Sequence, residues 1–543
     1  MSGSADQVHP LFSIVTPVYD TPLDVLRETI SSVEHQTCTD WELILVDDKS
    51  PDARVREVLR EAARREPRIR VIERATNGHI VEASNDGVAA AQGEFIALLD
   101  HDDLLTPRAL ERMQDAIDGE PEADYLYSDE DKIDANGARY SAFRKPAWSP
   151  ERLRGQMYTS HLSVLRTALV REVGGFRAGY DGSQDHDLAL RATEHARKVV
   201  HVPQVLYHWR VVPGSAAGDA EAKPYAWDAG RRAVQDQLDR LGVSGTVGFG
   251  QRPGTYTITR SLDRDVRISV VIPTRGDEGL VWGRRRHFVV EAVRSILDKG
   301  GWDNLEIVVV FDAGTPDAVL DAVADLDAPD LQLVPYTKPF NFSEKCNLGV
   351  SRSHGDVVVL LNDDVEVSSD GFLVQLVAPL FEDGVGMTGA RLLFANTTIQ
   401  HAGLTLDCND LTHAFAGAVQ SESGPFAALL VNRECSGLTG ACVALRREVF
   451  DEVGGLCEAL PINFNDVDLS CKLRYLGYRL LWIANATAYH FESQTRTPVV
   501  HKWESDLIAK RWALPEDDPY LPWVSPRSTG RNRRFVRIRR RTR

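Results

Sequence analysis

The chain has 543 residues and a formal net charge of −17, which makes it too long for one core and too acidic for a general nucleic-acid binder. Apolar residues make up 43% and charged residues 26%, the balance of an ordinary soluble globular protein. No apolar run reaches the ~18 residues of a membrane span, and the N-terminus lacks the basic-then-apolar pattern of a secretory signal.

The seven cysteines are odd in number and contain no CxxC. That favours reduced thiols in a cytosol, without a zinc site or a disulfide frame.

Residues 11–19 read as a β-branched strand, and Leu23 to Glu34 as a helix with apolar residues at 23, 26, 30 and 33. Trp41 to Val46 is a second strand and Val55 to Arg65 a second helix. Arg70 to Glu73 and Glu94 to Leu99 are further strands around the helical stretch Val81 to Ala91. Strands alternating with helices at this spacing predict a mainly parallel α/β sheet covered on both faces. Pro224 to Leu241 reads as a helix and leads into a Gly-rich junction. The strand–helix rhythm then restarts, with strands at 267–272, 305–311, 331–335 and 356–361 and helices between them.

The second run repeats the first. FSIVTPVYDTP, LILVDDKS, GEFIALLDHDDLL, GSQDHDLALR and VLYHWR are followed in the same order by RISVVIPTR, EIVVVFDAG, GDVVVLLNDDVEV, FNDVDLSCKLR and AYHFES. An internal repeat of this kind sets the architecture before any other argument. Four segments follow: a first domain over 10–218, a helical junction over 219–265, a second domain over 266–500, and a C-terminal extension over 501–543. The aromatic residues of that extension are expected to pack back on the second domain.

In open α/β sheets ligands sit at the carboxyl ends of the strands. Asp47 and Asp48 end the second strand, and Asp100, Asp102 and Asp103 follow GEFIALL. Like charges at one strand end repel, so a cation between them is expected. Hard oxygen ligands of this kind suit Mg²⁺ or Mn²⁺ shared with substrate phosphates. Capping of a helix at Thr106-Pro107 would account for Asp103 alone, but not for the second cluster at Asn362, Asp363 and Asp364. There is no GxxxxGK[ST] and no GxGxxG after the first strand, so neither a P-loop nor a dinucleotide site is expected.

This ordered set of motifs resembles family 2 inverting glycosyltransferases of the GT-A type, here in tandem, as in bacterial cell-surface polysaccharide assembly. The resemblance covers roughly residues 10–215 and 266–497. It implies that Pro17, Tyr19, Asp47 and Asp48 line a nucleotide pocket, with Asp48 accepting from a base N–H. It implies that Asp100 and Asp102 place a metal on the diphosphate. His208 is either a further metal or phosphate contact or a satisfied histidine at a strand end. Asp185 becomes the general base. In the second copy Pro273, Asp312, Asn362 and Asp363 take the nucleotide-sugar places, Asp364 and His490 the metal places, and Asp466 the base.

The implied partners are nucleotide-diphosphate sugars and a glycan or lipid-linked glycan acceptor, with no nucleic acid. Asp187 and Asp468, two residues past each base, are expected to cap their helices and fix the loop. The second copy has lost one acid of the VDDKS pair and begins its cluster with Asn362, so the two sites are expected to differ in specificity. A single active domain beside a carbohydrate-binding pseudoenzyme, and a nucleotidyltransferase, are the alternatives. Nine arginines between 527 and 543 read either as contact with an anionic inner membrane face, on an otherwise cytoplasmic protein, or as a solvated tail.

Overall fold

A computed structural model describes residues 9–211, 224–408, 411–491 and 500–522. The Arg-rich tail lies outside the described residues. The chain forms two compact units. The first comprises residues 1–148, 156–242 and 247–257, and the second comprises 149–155, 243–246 and 258–543. The junction expected over 219–265 is therefore divided: the helix Pro224–Arg240 belongs to the first unit, and the chain from Ile258 to the second.

Each unit is an α/β fold around one curled sheet. In the first, the strands run from edge to edge as Ile69–Glu73, Trp41–Asp47, Phe12–Val18, Phe95–Leu98, Ser163–Arg166, Ala123–Ile133, Lys198–Arg210 and Leu104–Leu105. In the second the order is Leu331–Tyr336, Leu305–Asp312, Ile268–Thr274, Val357–Leu361, Cys442–Arg446, Val385–Leu393, Arg479–His490 and Val365–Val367. The first four strands of each list are parallel. Their central members are buried along most of their length, as strands covered on both faces must be.

The duplication reaches single atoms. Ser13 Oγ donates to Glu42 at 2.7 Å and accepts from the Gly93 amide at 2.7 Å. Ser269 Oγ donates to Glu306 at 2.6 Å and accepts from the Gly355 amide at 2.8 Å. Gly87 and Gly349 let their helices lie on the first strand. A Cβ there would sit 2.4 Å from Val15 Cγ1 and 2.3 Å from Val271 Cγ1 respectively. Asn85 brackets Phe176, donating to its carbonyl and accepting from its amide, and Asn347 does the same for Leu456.

Asp187 and Asp468 anchor more than their own helices. Asp187 is buried and pairs with Arg191 and Arg177, and Arg177 continues to Asp236 on the helix Pro224–Arg240. Asp468 is buried and accepts from the indole of Trp512 at 2.9 Å, beside Arg511 at 3.1 Å. The helix Lys502–Arg511 thus packs on the second unit, with Ile508 against Leu406, Leu460 and Val467. Leu521 packs into an apolar cluster of that unit with Leu438, Leu469 and Trp482. Among the described residues no helix is long and apolar enough to cross a membrane.

Candidate active site

In the first unit the strand ends open onto a cleft. Pro17 closes the first strand, Asp100 follows Phe95–Leu98, and Asp185 is the second residue of the helix Gln184–His195. All three line the cleft, together with Leu99, Ser160 and His161. Burial pushes the Asp185 carboxyl above its ordinary range. Tyr19 lies outside that lining and is 49% exposed.

The two acids of VDDKS separate in role. Asp47 is buried and accepts from the Ser50 amide at 3.1 Å, so it shapes the turn after its strand. Asp48 Oδ1 accepts from the Arg74 guanidinium at 2.9 Å and the Gly78 amide at 2.8 Å.

The acid turn differs from its twin by one residue. Leu98 and Leu104 bound it in the first unit, Leu360 and Val365 in the second, at equivalent pairing positions. Asp103 is drawn inward, accepting from the Tyr207 hydroxyl at 2.6 Å and the Arg210 amide at 2.7 Å. Burial beside Asp100 pushes its carboxyl well up. Asp102 stays at the surface of the turn, 3.9 Å from the His101 ring.

Among the described residues, the ligand atoms of Asp100, Asp103 and His161 come within 4.8 Å of one another. Sequence reasoning named Asp102 and His208 beside Asp100. The structure brings Asp103 and His161 close to Asp100, with Asp103 drawn toward the strand Lys198–Arg210 by Tyr207 and Arg210. His161 Nε2 lies 3.7 Å from Asp100, and its Nδ1 lies 3.3 Å from Glu130. His208 Nδ1 is held by Asp131 at 2.5 Å, and its Nε2 is buried without a hydrogen-bond partner.

In the second unit Pro273 stands where Pro17 does, paired with Val310 as Pro17 pairs with Val46. The same register puts Phe311 at the place of Asp47 and Asp312 at that of Asp48. Asp312 is met by the Lys345 ammonium at 2.8 Å, which also donates to the Thr274 carbonyl at 2.7 Å. Asp363 accepts from the Thr274 hydroxyl at 2.6 Å, and burial beside Asp364 pushes its carboxyl up to about 7.

His490 Nε2 lies 3.1 Å from Asp364, and its Nδ1 meets Gln400 at 2.7 Å. Asn362 Oδ1 is buried with no hydrogen-bond partner. Asp466 accepts from the Gly440 amide at 3.1 Å and from the Val467 amide at 2.8 Å.

These donor sets fit a divalent metal. In the first unit Asp100, Asp103 and His161 bring donor atoms together; in the second the His490 imidazole lies beside Asp364 with its Nδ1 held by Gln400, the usual support for a ligating histidine. The orphaned Asn362 Oδ1 and His208 Nε2 are the atoms such an ion would satisfy.

Several site residues escaped sequence reasoning. His161 stands where the second copy has Ala441, and Lys345 where the first has Ala83. The hairpin Glu278–Val281 and Arg284–His287 replaces a short turn, and its tip residue Trp282 is 51% exposed. Trp282 is fixed by its indole N–H on the Ala395 carbonyl at 2.9 Å and edge contacts to Tyr489 and Phe491. The only sequence signal was a bulky residue before Gly283 between charged segments. His401 and His413 meet through their Nδ1 atoms at 3.1 Å, and burial holds the His401 ring well below its ordinary pKa.

Two α/β units carry corresponding acid turns at the ends of their parallel strands. The chain belongs to glycosyl transferase family 2, whose model matches residues 13–173 and 269–454. It is 40% identical over 529 residues to the Sinorhizobium fredii protein named uncharacterized protein y4gI, covering 94% of this chain and 57% of that one. It is 34% identical over 517 residues to the O-antigen biosynthesis protein RfbC of Myxococcus xanthus, covering 94% of this chain and 40% of the relative. The chain thus spans about half the length of these curated relatives. A solved structure of S. aureus TarS 1-349 in complex with UDP-GlcNAc is similar at 21% identity and a TM-score of 0.35, covering 42% of this chain and 66% of that one.

Proposed function

We propose that each unit carries one inverting transfer site, and that the two sites move sugars from nucleotide-diphosphate donors onto a growing cell-surface glycan. The observation that supports this most is the shared position of Asp185 and Asp466. Each is the second residue of a helix at the ligand edge of its unit, two residues before a buried anchoring Asp.

The acceptor hydroxyl is a poor nucleophile, so Asp185 or Asp466 takes its proton as it attacks the anomeric carbon. The Gly440 amide holds one oxygen of Asp466 and so orients the carboxylate. Pro17 and Pro273 border the nucleotide, with Asp48 and Asp312 accepting from the base. Asp100, Asp102 and His208, joined by His161, would hold Mg²⁺ or Mn²⁺ in the first unit, and Asn362, Asp364 and His490 in the second. When bound, that ion neutralises charge on the departing diphosphate. Asp363 is held back from this set by Thr274.

The relative named for O-antigen biosynthesis supports a polysaccharide acceptor. We place the enzyme in the cytoplasm, on the inner membrane face through its Arg-rich tail. The test is a donor screen in divalent metal, read as released nucleoside diphosphate, with Asp185→Asn and Asp466→Asn beside the wild type. Each substitution should remove one transfer and leave the other, at a cost of ~10²–10⁴ in rate. Full retention of every transfer by Asp185→Asn refutes the assignment of the first site.

A further inference from the structure

In the second unit the strands Glu278–Val281 and Arg284–His287 form a hairpin closed by two residues, Trp282 and Gly283. Both have positive φ, +47° and +76°. Such turns favour Asn-Gly, and a bulky side chain at positive φ is a strained choice. Turn chemistry therefore does not account for Trp282, and strain kept in a well-supported surface position points to function. In the first unit only residues 18–22 separate Pro17 from the helix Leu23–Glu34, too few for such a hairpin.

The indole is fixed at the ligand edge of its sheet. Val357–Leu361 runs antiparallel to Cys442–Arg446, that strand antiparallel to Val385–Leu393, and Val385–Leu393 parallel to Arg479–His490. Val385–Leu393 and Arg479–His490 therefore end at the same edge as Ile268–Thr274, where ligands sit in open α/β sheets. Trp282 is attached to both ends. Its N–H donates to the Ala395 carbonyl at 2.9 Å, just past the first of these strands. Its ring meets Tyr489 and Phe491 at 86° and 87°, with centroid separations of 5.1 and 5.2 Å. Those two residues flank His490. Arg286 ties the hairpin to Glu366 at 2.9 Å, on the strand that leaves the acid turn. So anchored, the Trp282 side chain still leaves half its surface in water.

An aromatic ring that is exposed, held in place and beside a transfer site suits one chemistry. A pyranose has a face of C–H groups and a rim of hydroxyls. Laid on an indole, the C–H face leaves water while the hydroxyls stay hydrated. On the proposed reading the nucleotide occupies the end of the edge formed by Ile268–Thr274 and Leu305–Asp312, which leaves the half beneath Trp282 to the acceptor. We infer that Trp282 is the stacking platform for a pyranose ring of the acceptor glycan, a specificity-determining residue of the second unit. This rests on the reading of that unit as a transfer site.

Fluorine NMR of the full chain carrying 5-fluorotryptophan tests it, with the methyl glycosides of glucose, galactose, rhamnose and N-acetylglucosamine as probes. The resonance absent from Trp282→Tyr identifies this indole among the ten. It should shift on titration with at least one probe, and saturation transfer from the protein should reach that probe's ring C–H protons. Trp282→Asn, which suits the turn, should weaken this binding by roughly tenfold or more. Trp282→Tyr, which keeps a flat ring, should retain most of it. No shift of the Trp282 resonance with any probe overturns the inference, whether or not the Asn variant folds. Unchanged probe binding by a folded Trp282→Asn also overturns it. Nucleoside diphosphate released in the donor screen without glycoside binding overturns the platform and leaves the transfer reading standing. Glycoside binding on Trp282 with no nucleoside diphosphate released overturns the transfer reading and leaves a sugar site.

Discussion

The Asp187 carboxylate lies 2.7 Å from the Arg191 guanidinium one turn along the same helix, and both groups are buried. Arg191 also donates to the Val173 and Gly175 carbonyls at 2.6 Å. The pair therefore ties the helix Gln184–His195 to the loop that precedes it. Removing one partner leaves a buried charge unmet, which costs about 3–5 kcal/mol. Asp187→Ala should lower urea stability by that order, and Asp187→Ala combined with Arg191→Met should recover part of it. A single substitution within 0.5 kcal/mol of wild type, on the ~1 kcal/mol scale of ordinary point changes, would show that the pair is incidental.

Acidification should silence the first site early. Burial raises the Asp185 carboxyl, and a general base works only when ionised. Transfer at that site therefore grows as pH rises through the raised value, and its acid limb lies above the ~3.9 of a free aspartate. The pH–rate profile of the Asp466→Asn variant isolates this limb. A limb at or below the free value contradicts Asp185 as that base.

Metal affinity should depend on residues that touch no metal. Asp131 and Gln400 fix the Nδ1 atoms of His208 and His490. Supporting partners of this kind are worth 10–100-fold in affinity. Asp131→Ala and Gln400→Leu should each weaken Mn²⁺ binding by roughly that factor, one site per variant, in an electron paramagnetic resonance titration. Asp364→Ala should remove the second site. Unchanged Mn²⁺ affinity in all three variants would make the acid turns structural.

Two glycines carry a packing prediction. A methyl group on Gly87 or Gly349 meets a valine Cγ1 at 2.4 or 2.3 Å. Overpacking of this kind costs about 1–3 kcal/mol. Gly87→Ala and Gly349→Ala should each destabilise the protein to urea by that amount, and Gly137→Ala serves only as a strained-turn control with open space around its Cβ. Tolerance of both helix substitutions would mean that the helices stand off the sheet.

Deleting residues 527–543 should release the protein from anionic vesicles and leave transfer to a soluble acceptor unchanged. Each basic residue near such a surface contributes about 1 kcal/mol, and the attraction weakens with salt. Equal vesicle binding by the truncated chain would remove the tail as the anchor.

The repeat, the two mainly parallel sheets and the location of both acid turns were legible in the residues alone. Strand period, helix period and strand-end acids are local signals, and the second copy confirmed each reading of the first. The partners of those acids were not legible. Asp48 is met by Arg74 from 26 residues away and Asp312 by Lys345 from 33, and no periodicity marks either cation. The first acid turn has one extra residue, and in it Asp103 bonds to Tyr207 and Arg210 of the strand Lys198–Arg210 while Asp102 does not. The hairpin bearing Trp282 was hidden because RRRH lacks the alternation of a half-buried strand. The residues 149–155 lie in the middle of the first copy and yet belong to the second unit. There Glu151 pairs with Arg260 at 2.6 Å, both buried. Sequence determines which residues want burial or a partner, but packing across the sheet determines which partner each one meets.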